Sequence, residues 1–528
     1  MSSLGSAGSP GSPGSRGSLW LDGRPPLLTQ PFLADRLYDV VVVGAGITGL
    51  STALMLAETG HKVVVLEARG IGALATGNTT GKISLLQGSR LSSIRSHHSR
   101  RLLRAYVDSN RDGQEWLLAF CEQAGVPVQR HTAYSYAQHP DAAVAVEDEY
   151  SAAREAGLPV TLVDGDQVDV PFPFAFGVAL AEQAQFDPMD ALDALARAFL
   201  AAGGVIHTGA RVTGVKASDP ARVRTALGDV RGHAVVLATA TPILDRGLTF
   251  AKTHAMRSYA LSFEVPDAAP LHGGMFLSIG DGEHSRSVRT APRGDTELLV
   301  VGGNGHEVGR PGSRSERQRV LELEEWTGAL YPGARVTHSW SAQDYESHNL
   351  IPFVGALPRG RGRVYLATGF AKWGLTNGVA AAIRLTSEIS GEPRQERRRW
   401  HQVIGTRVTI PADIGRGAVA GTAVGREAVA GWAAAERTDV PVPRPAEGCG
   451  VVANRAGAPV GISTVDGETR AVSAVCPHLG GVLRWNDDAL SWDCPLHASR
   501  FAAEGTRLEG PAVTDLSALP RTPGSEPS

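Results

Sequence analysis

Four cysteines in 528 residues are too few for the disulfide framework of a small secreted protein, and a reducing compartment is the expectation. Lysine is almost as scarce, with five among the 51 basic residues and arginine making up the rest. Against 54 acidic residues the formal net charge is only -3, so no polycationic domain is available to coat a nucleic acid. Nowhere do about eighteen apolar residues run on without a charge or a glycine break, so no membrane-spanning helix is expected. The opening stretch, MSSLGSAGSPGSPGSRGSLWLDGRP, lacks the apolar core of a signal peptide. The expectation is a soluble, cytoplasmic protein with no nucleic-acid partner.

An apolar share of 42% and a charged share of 20% suit a globular chain, and the length exceeds what one core can serve. Two or more domains should follow. Residues 1–34, dominated early by Ser, Gly and Pro, should form a disordered tail, and residues 518–528 a second flexible one.

The strongest local signal in the first half is YDVVVVGAGITGLSTALMLAETGHKVVVLEA, residues 38–68, which reads as strand, turn, helix, strand. Gly44, Gly46 and Gly49 match G-x-G-x-x-G at the helix start. The first glycine permits a tight turn, the second lets backbone approach a pyrophosphate, and the third lets helix pack on strand. Unpaired N-H groups at the helix start then face the anion. Glu67 ends the next strand about 20 residues on, where a carboxylate accepts ribose hydroxyls and repels a 2'-phosphate. A dinucleotide is predicted there, and this motif alone leaves NAD and FAD both open.

The rest of the first 392 residues decides between them. The stretch after Glu67, ARGIGALATGNTTGKISLLQG, resembles the loop that follows the ribose-binding acid in the D-amino-acid oxidase superfamily of FAD enzymes, which includes glycine, sarcosine and gamma-glutamylputrescine oxidases. The segments GGVIHTGARVTGVKAS and HAVVLATATPI resemble its later FAD-contacting strands, which would bring Val212 to the adenine. QDYESHNLIPFVGALPRGRGRVYLATGFAKWGLTNGVAAAIRLTSEISG resembles the closing FAD segment, with Gly369 and the Gly374 to Gly378 turn opening a helix toward the flavin. The resemblance spans residues 36–392. It implies an α/β (α+β) FAD-binding Rossmann-like domain with an interleaved β-rich substrate subdomain at about 95–180 and 255–340. It also implies oxidation of a C-N bond in a small amine or amino acid. No cysteine falls in the closing segment, so FAD should be non-covalent. Lys82, Tyr259, Lys372 and Trp373 are the candidate catalytic residues, Lys82 as a cation beside the isoalloxazine. Tyr345 is a candidate pocket residue, and Arg257, Arg286 and Arg289 are candidates for clamping a carboxylate.

The second strong signal is Cys476-x-His478, fifteen residues, then Cys494-x-x-His497. Two thiolates and two imidazoles suit a tetrahedral zinc ion. They suit a [2Fe-2S] centre with mixed ligation as well. Each loop here supplies one Cys and one His, whereas zinc hairpins usually group like with like. With the flanking WN, WDCP and HASRF, residues 441–517 resemble a small all-β Rieske domain. Many members of that family carry a further Cys in each loop, joined as a disulfide; Gly481 and Leu496 stand at those places. Ser499 remains as a hydrogen-bond donor to the cluster, while Phe501 replaces a Tyr that often bonds a cluster sulfur, implying a low to middling potential. Residues 393–440 should form a linker with a helix over GREAVAGWAAAER. Flavin takes electrons in pairs and the cluster moves them singly, so the leading reading passes electrons from flavin through the cluster to an external acceptor protein; reverse flow from a donor protein, feeding a reductive or monooxygenase flavoenzyme, and a non-catalytic redox carrier or sensor stay open.

Overall fold

A computed structural model describes residues 15–27, 29–244, 249–266, 271–310, 312–404, 411–437, 440 and 442–520; within 411–423 it describes the backbone and Thr422. The apolar run Leu37–Val43 becomes a central strand, because Val40, Val41 and Val42 are fully buried between layers. It pairs in parallel with Val63–Leu66 on one side and Gly228–Leu237 on the other. Val364–Thr368 and Val205–His207 extend this sheet, also in parallel, and Phe353–Ala356 closes one edge antiparallel. Helices Ile47–Glu58 and Gly374–Ile389 pack on this sheet and on each other, sharing one apolar core.

A second, larger sheet of ten strands carries the polar-rich middle of the chain. Its longest strands, Thr253–Glu264, Thr296–Glu307 and Arg335–Ser347, run antiparallel in the order Arg335–Ser347, Thr253–Glu264, Thr296–Glu307. Strands from Lys82–Ile83 to Phe176–Phe186 complete its far half. The chain passes repeatedly between the two sheets, giving a mixed α/β fold with a small all-β domain after it.

That last domain has a three-stranded sheet, Gly450–Arg455, Ala458–Val465 and Glu468–Ser473, and a four-stranded one from Arg484–Asn486 to Arg507–Glu509. Asp466 and Gly467 turn the hairpin between Val465 and Glu468 with φ of +55° and +74°, the backbone that an Asp-Gly pair accommodates. The helix expected in the connector is present as Pro411–Ala435, and Arg484 pairs with its Glu427 at 2.8 Å.

The expected disordered tail needs correction from residue 15 onward; residues 1–14 lie outside the described residues. Ser15–Arg16 adds a short parallel strand beside His338 and Ser339. Leu19 and Trp20 are buried in the main core, and Arg24 pairs with Asp187, Asp190 and Asp193. The Ser/Gly/Pro composition masked two large apolar side chains, whose burial offsets the entropy of ordering the segment. Ala518 likewise bridges to Val472, which corrects the expected second tail at that residue; residues 521–528 lie outside the described residues.

Candidate active site and metal centre

A long cavity opens at the C-terminal ends of the parallel strands, where α/β sheets bind ligands. Gly44 has a φ of +106°, and a Cβ there would stand 2.4 Å from the Ala238 carbonyl oxygen, one residue past the end of the neighbouring strand. Only glycine allows that approach. Gly46 caps the helix and lines the cavity, while Gly49 packs its backbone against Gly44. Glu67 reaches back to accept N-H groups from Ala45 at 2.9 Å and Arg69 at 2.8 Å. Burial raises its pKa, and those two N-H groups oppose the rise. A cradle of close-packed glycine ending on a fixed carboxylate fits a dinucleotide.

Val212, Gly369 and Gly374 also line the cavity. Gly378 does not. A Cβ at Gly378 would lie 2.5 Å from the Thr48 hydroxyl, so its smallness serves the packing of the two helices. Two of the candidate catalytic residues, Tyr259 and Lys372, face the cavity. Lys82 does not line it: its Nζ donates to the Phe276 carbonyl and the Ser287 hydroxyl inside the large sheet. Burial, aided by the charge of Arg289, lowers the Lys82 pKa to about 7. Trp373 acts through its backbone, its carbonyl accepting from the Asn377 N-H and side-chain amide at 3.1 Å, and its side chain does not line the cavity.

The three arginines expected to clamp a carboxylate are spoken for. Arg286 donates to Asn304 Oδ1 at 2.7 Å, and Arg289 donates to the Gly81 carbonyl at 2.9 Å. Arg257 pairs with Asp493 of the C-terminal domain. The cavity wall carries instead Asp344, which periodicity gave no reason to single out. It lines the cavity, its Oδ2 is buried with no hydrogen-bond partner among the described residues, and burial raises its pKa to about 6 despite the charge of Lys372. Tyr259 Oη lies 3.0 Å from His306 Nε2. His306 Nδ1 faces the Glu307 carbonyl at 2.8 Å, so it carries the hydrogen, and Nε2 accepts from the tyrosine. Burial and the nearby Arg319 lower the His306 pKa to about 4, keeping this ring neutral.

The C-terminal domain presents its two ligand loops side by side. Cys476 and Cys494 are buried with their thiols within hydrogen-bonding reach. The rings of His478 and His497 lie edge to face, 5.2 Å between centroids, and Phe250 packs against both at 5.2 and 4.8 Å. Sulfur thus faces sulfur and imidazole faces imidazole. That split suits a centre in which the two Cys would hold one iron and the two His the other. The hydrogen bond from Cys494, outweighing burial, draws the Cys476 thiol below its ordinary range. A Cβ on Gly481 would stand 2.6 Å from Leu496 and 3.2 Å from Cys494 Sγ, so these two positions touch and leucine fills the space between the loops.

Ser499 bridges Cys476 to the domain core: its hydroxyl lies against the thiol and its oxygen accepts the Ala512 N-H at 2.9 Å. Replacing Ser499 with alanine should lower the midpoint potential of the cluster, since a donor to sulfur stabilises the reduced form. It should also leave a buried N-H unpaired, at about 1–3 kcal/mol. Voltammetry and thermal unfolding of the variant measure the two effects separately.

The sequence matches the FAD dependent oxidoreductase family over residues 39–388 and the Rieske [2Fe-2S] domain family over residues 436–520. It is 28% identical over 496 residues to a putative Rieske 2Fe-2S iron-sulfur protein, YhfW, of Bacillus subtilis, spanning 90% of this chain and 92% of that one. It is 28% identical over 205 residues to gamma-glutamylputrescine oxidoreductase of Escherichia coli, 38% of this chain and 48% of that one. Glycine oxidase from Geobacillus kaustophilus superposes with a TM-score of 0.56 at 19% identity, over 68% of this chain and 96% of the other. The flavin cradle and the paired thiols and imidazoles therefore belong to one molecule, an FAD-dependent oxidoreductase of the D-amino-acid oxidase superfamily carrying a C-terminal Rieske [2Fe-2S] domain.

Proposed function

We propose that the protein oxidises the C-N bond of a small amine or amino acid at the flavin cavity and passes the electrons through its Rieske cluster to an external acceptor protein. One observation carries this reading: Gln343, a wall residue of the flavin cavity, donates through Nε2 to the Ala498 carbonyl, one residue beyond the ligand His497, at 3.0 Å. FAD accepts a hydride when bound, and the cluster moves electrons one at a time.

Asp344 is the group placed to take a proton from the substrate ammonium, because only the neutral amine releases hydride from its carbon. Its Oδ2 has no other partner among the described residues. Lys372, beside it on a turn with φ of +72°, supplies a cation for a substrate carboxylate. Tyr259, fixed by His306, closes the wall. The departing imine is hydrolysed by water. The names of the related proteins, glycine oxidase and gamma-glutamylputrescine oxidoreductase, are consistent with a small nitrogenous substrate.

With a carboxyl pKa raised to about 6, Asp344 accepts a proton only above that pH, so kcat/KM should fall on the acid side with a limb near 6. Asp344→Asn should remove that limb and lower kcat/KM by about 10²- to 10⁴-fold. A pH profile that keeps the limb in the variant would assign it to another group. The reading as a whole is tested by anaerobic titration with a panel of amines and amino acids. Bleaching of the flavin followed by growth of the rhombic EPR signal of the reduced cluster supports it; flavin that no amine reduces overturns it.

A further inference from the structure

The Rieske domain meets the flavin domain along a buried seam in which the second ligand loop is gripped at both ends. Arg257 and Gln343 are cross-strand partners on Thr253–Glu264 and Arg335–Ser347. The Arg257 guanidinium donates through Nη2 to Gln343 Oε1 at 3.0 Å and pairs with Asp493 Oδ2 at 3.1 Å. Asp493 immediately precedes Cys494. Gln343 in turn donates through Nε2 to the Ala498 carbonyl at 3.0 Å and the Tyr345 hydroxyl at 2.8 Å. Ala498 immediately follows His497. Between these anchors, Arg310 Nε donates to the Pro495 carbonyl at 3.0 Å, and Gly309 lies so close that a Cβ there would come within 2.7 Å of Pro495 Cα.

We infer that Arg257 and Gln343 form a fixed clamp that holds the Cys494–His497 loop against the flavin cavity, as positioning residues for electron transfer within a single chain. The inference rests on the proposed passage of electrons between flavin and cluster, and it names the device that sets their geometry. Both charges of the Arg257–Asp493 pair are almost fully buried, at 1% and 2% exposure. A buried pair adds little net stability, yet breaking it strands a charge, so its contribution is to fix one docked arrangement. Asp493 is held from its own side by Asn486 at 3.0 Å and Ser491 at 2.9 Å, which pre-orients the carboxylate. Nε and Nη1 of Arg257 have no partner among the described residues, so Gln343 and Asp493 are what hold the guanidinium. A domain that swings between docking sites would need a seam that opens without exposing such a pair. In the step itself no bond is made or broken: the reduced flavin gives up one electron and one ferric ion of the cluster becomes ferrous. The second electron follows once an external one-electron acceptor has emptied the cluster.

The test uses the full-length protein carrying both cofactors. Under anaerobic conditions one electron is placed on the flavin photochemically, and the flavin and cluster absorbances are followed, so no substrate is needed. Internal transfer should be at least tenfold slower in Arg257→Met and in Asp493→Asn, and near the parental rate in Arg257→Lys. Amide exchange across residues 494–499 should rise in the two slow variants. Should Arg257→Met lose its cluster, the isosteric Asp493→Asn decides. Parental transfer rates and unchanged exchange in a variant holding both cofactors would overturn the clamp, as would the absence of transfer in the parent. Transfer that depends on the clamp in a protein whose flavin no amine reduces would leave the clamp standing and remove the amine reaction alone.

Discussion

Gly44→Ala is expected to yield protein that holds its cluster and lacks its flavin. A side chain at a φ of +106° enters a backbone region closed to L-residues, at about 1–2 kcal/mol. The added carbon also meets the Ala238 carbonyl at 2.4 Å, and both residues directly follow paired strands of the central sheet, Leu37–Val43 and Gly228–Leu237. Overpacking of this kind costs about 1–3 kcal/mol more. If the turn instead yields, it shifts the backbone that must approach the pyrophosphate. Either route weakens FAD by about 10²-fold or more, since every 1.4 kcal/mol is tenfold in affinity. The ratio of flavin to protein after gel filtration should collapse, while iron stays near two per chain because the ligand loops belong to a separate core. Full flavin content at parental affinity would mean that this turn is not the cradle.

The complementary variant, Cys494→Ser, should keep flavin and lose iron. Cys494 is buried, and its loop is closed by hydrogen bonds from the Cys494 N-H to the Ser499 carbonyl at 2.9 Å and from the Ala498 N-H to the Cys494 carbonyl at 3.0 Å. Serine fits that space, so the fold should survive. Its hydroxyl is a hard, weakly acidic ligand in place of a thiolate, and the cluster loses one of four attachments. Groups one shell further out commonly change metal affinity by about 10- to 100-fold, and a direct ligand should exceed that. Iron analysis should fall from about two per chain to near zero. Substrate bleaching of the flavin should persist, and turnover with an external one-electron acceptor should drop by at least about 10²-fold. Undiminished turnover would show that electrons leave the flavin by another path.

The features legible in the sequence are those whose chemistry is contiguous. Gly44, Gly46 and Glu67 lie within one strand-turn-helix-strand unit, and each ligand loop of the cluster site holds its Cys and His within four residues. Their spacing is dictated by local geometry, so it survives in the bare sequence. Features made by pairing distant segments were not legible. Arg257 meets Asp493 only because a strand of the large sheet faces a hairpin of another domain, and nothing near either residue marks the other. Lys82 sits beside the predicted flavin loop in sequence, yet the register of Lys82–Ile83 against Phe176–Phe186 turns its side chain into the sheet. Asp344 escaped notice because alternation along a strand tells which face a residue takes, not whether its carboxylate will find a partner.

The N-terminal segment has a further consequence for handling the protein. The Trp20 indole N-H donates to the Thr79 carbonyl at 2.6 Å and the Trp340 indole N-H to the Asn78 carbonyl at 2.9 Å, so two fluorophores are tethered to the same cavity-lining loop. A flavin seated behind that loop lies within energy-transfer range of both rings, and its near-ultraviolet absorption band overlaps their emission. Intrinsic tryptophan fluorescence thereby becomes an optical gauge of how much of a preparation is loaded, readable without added dye.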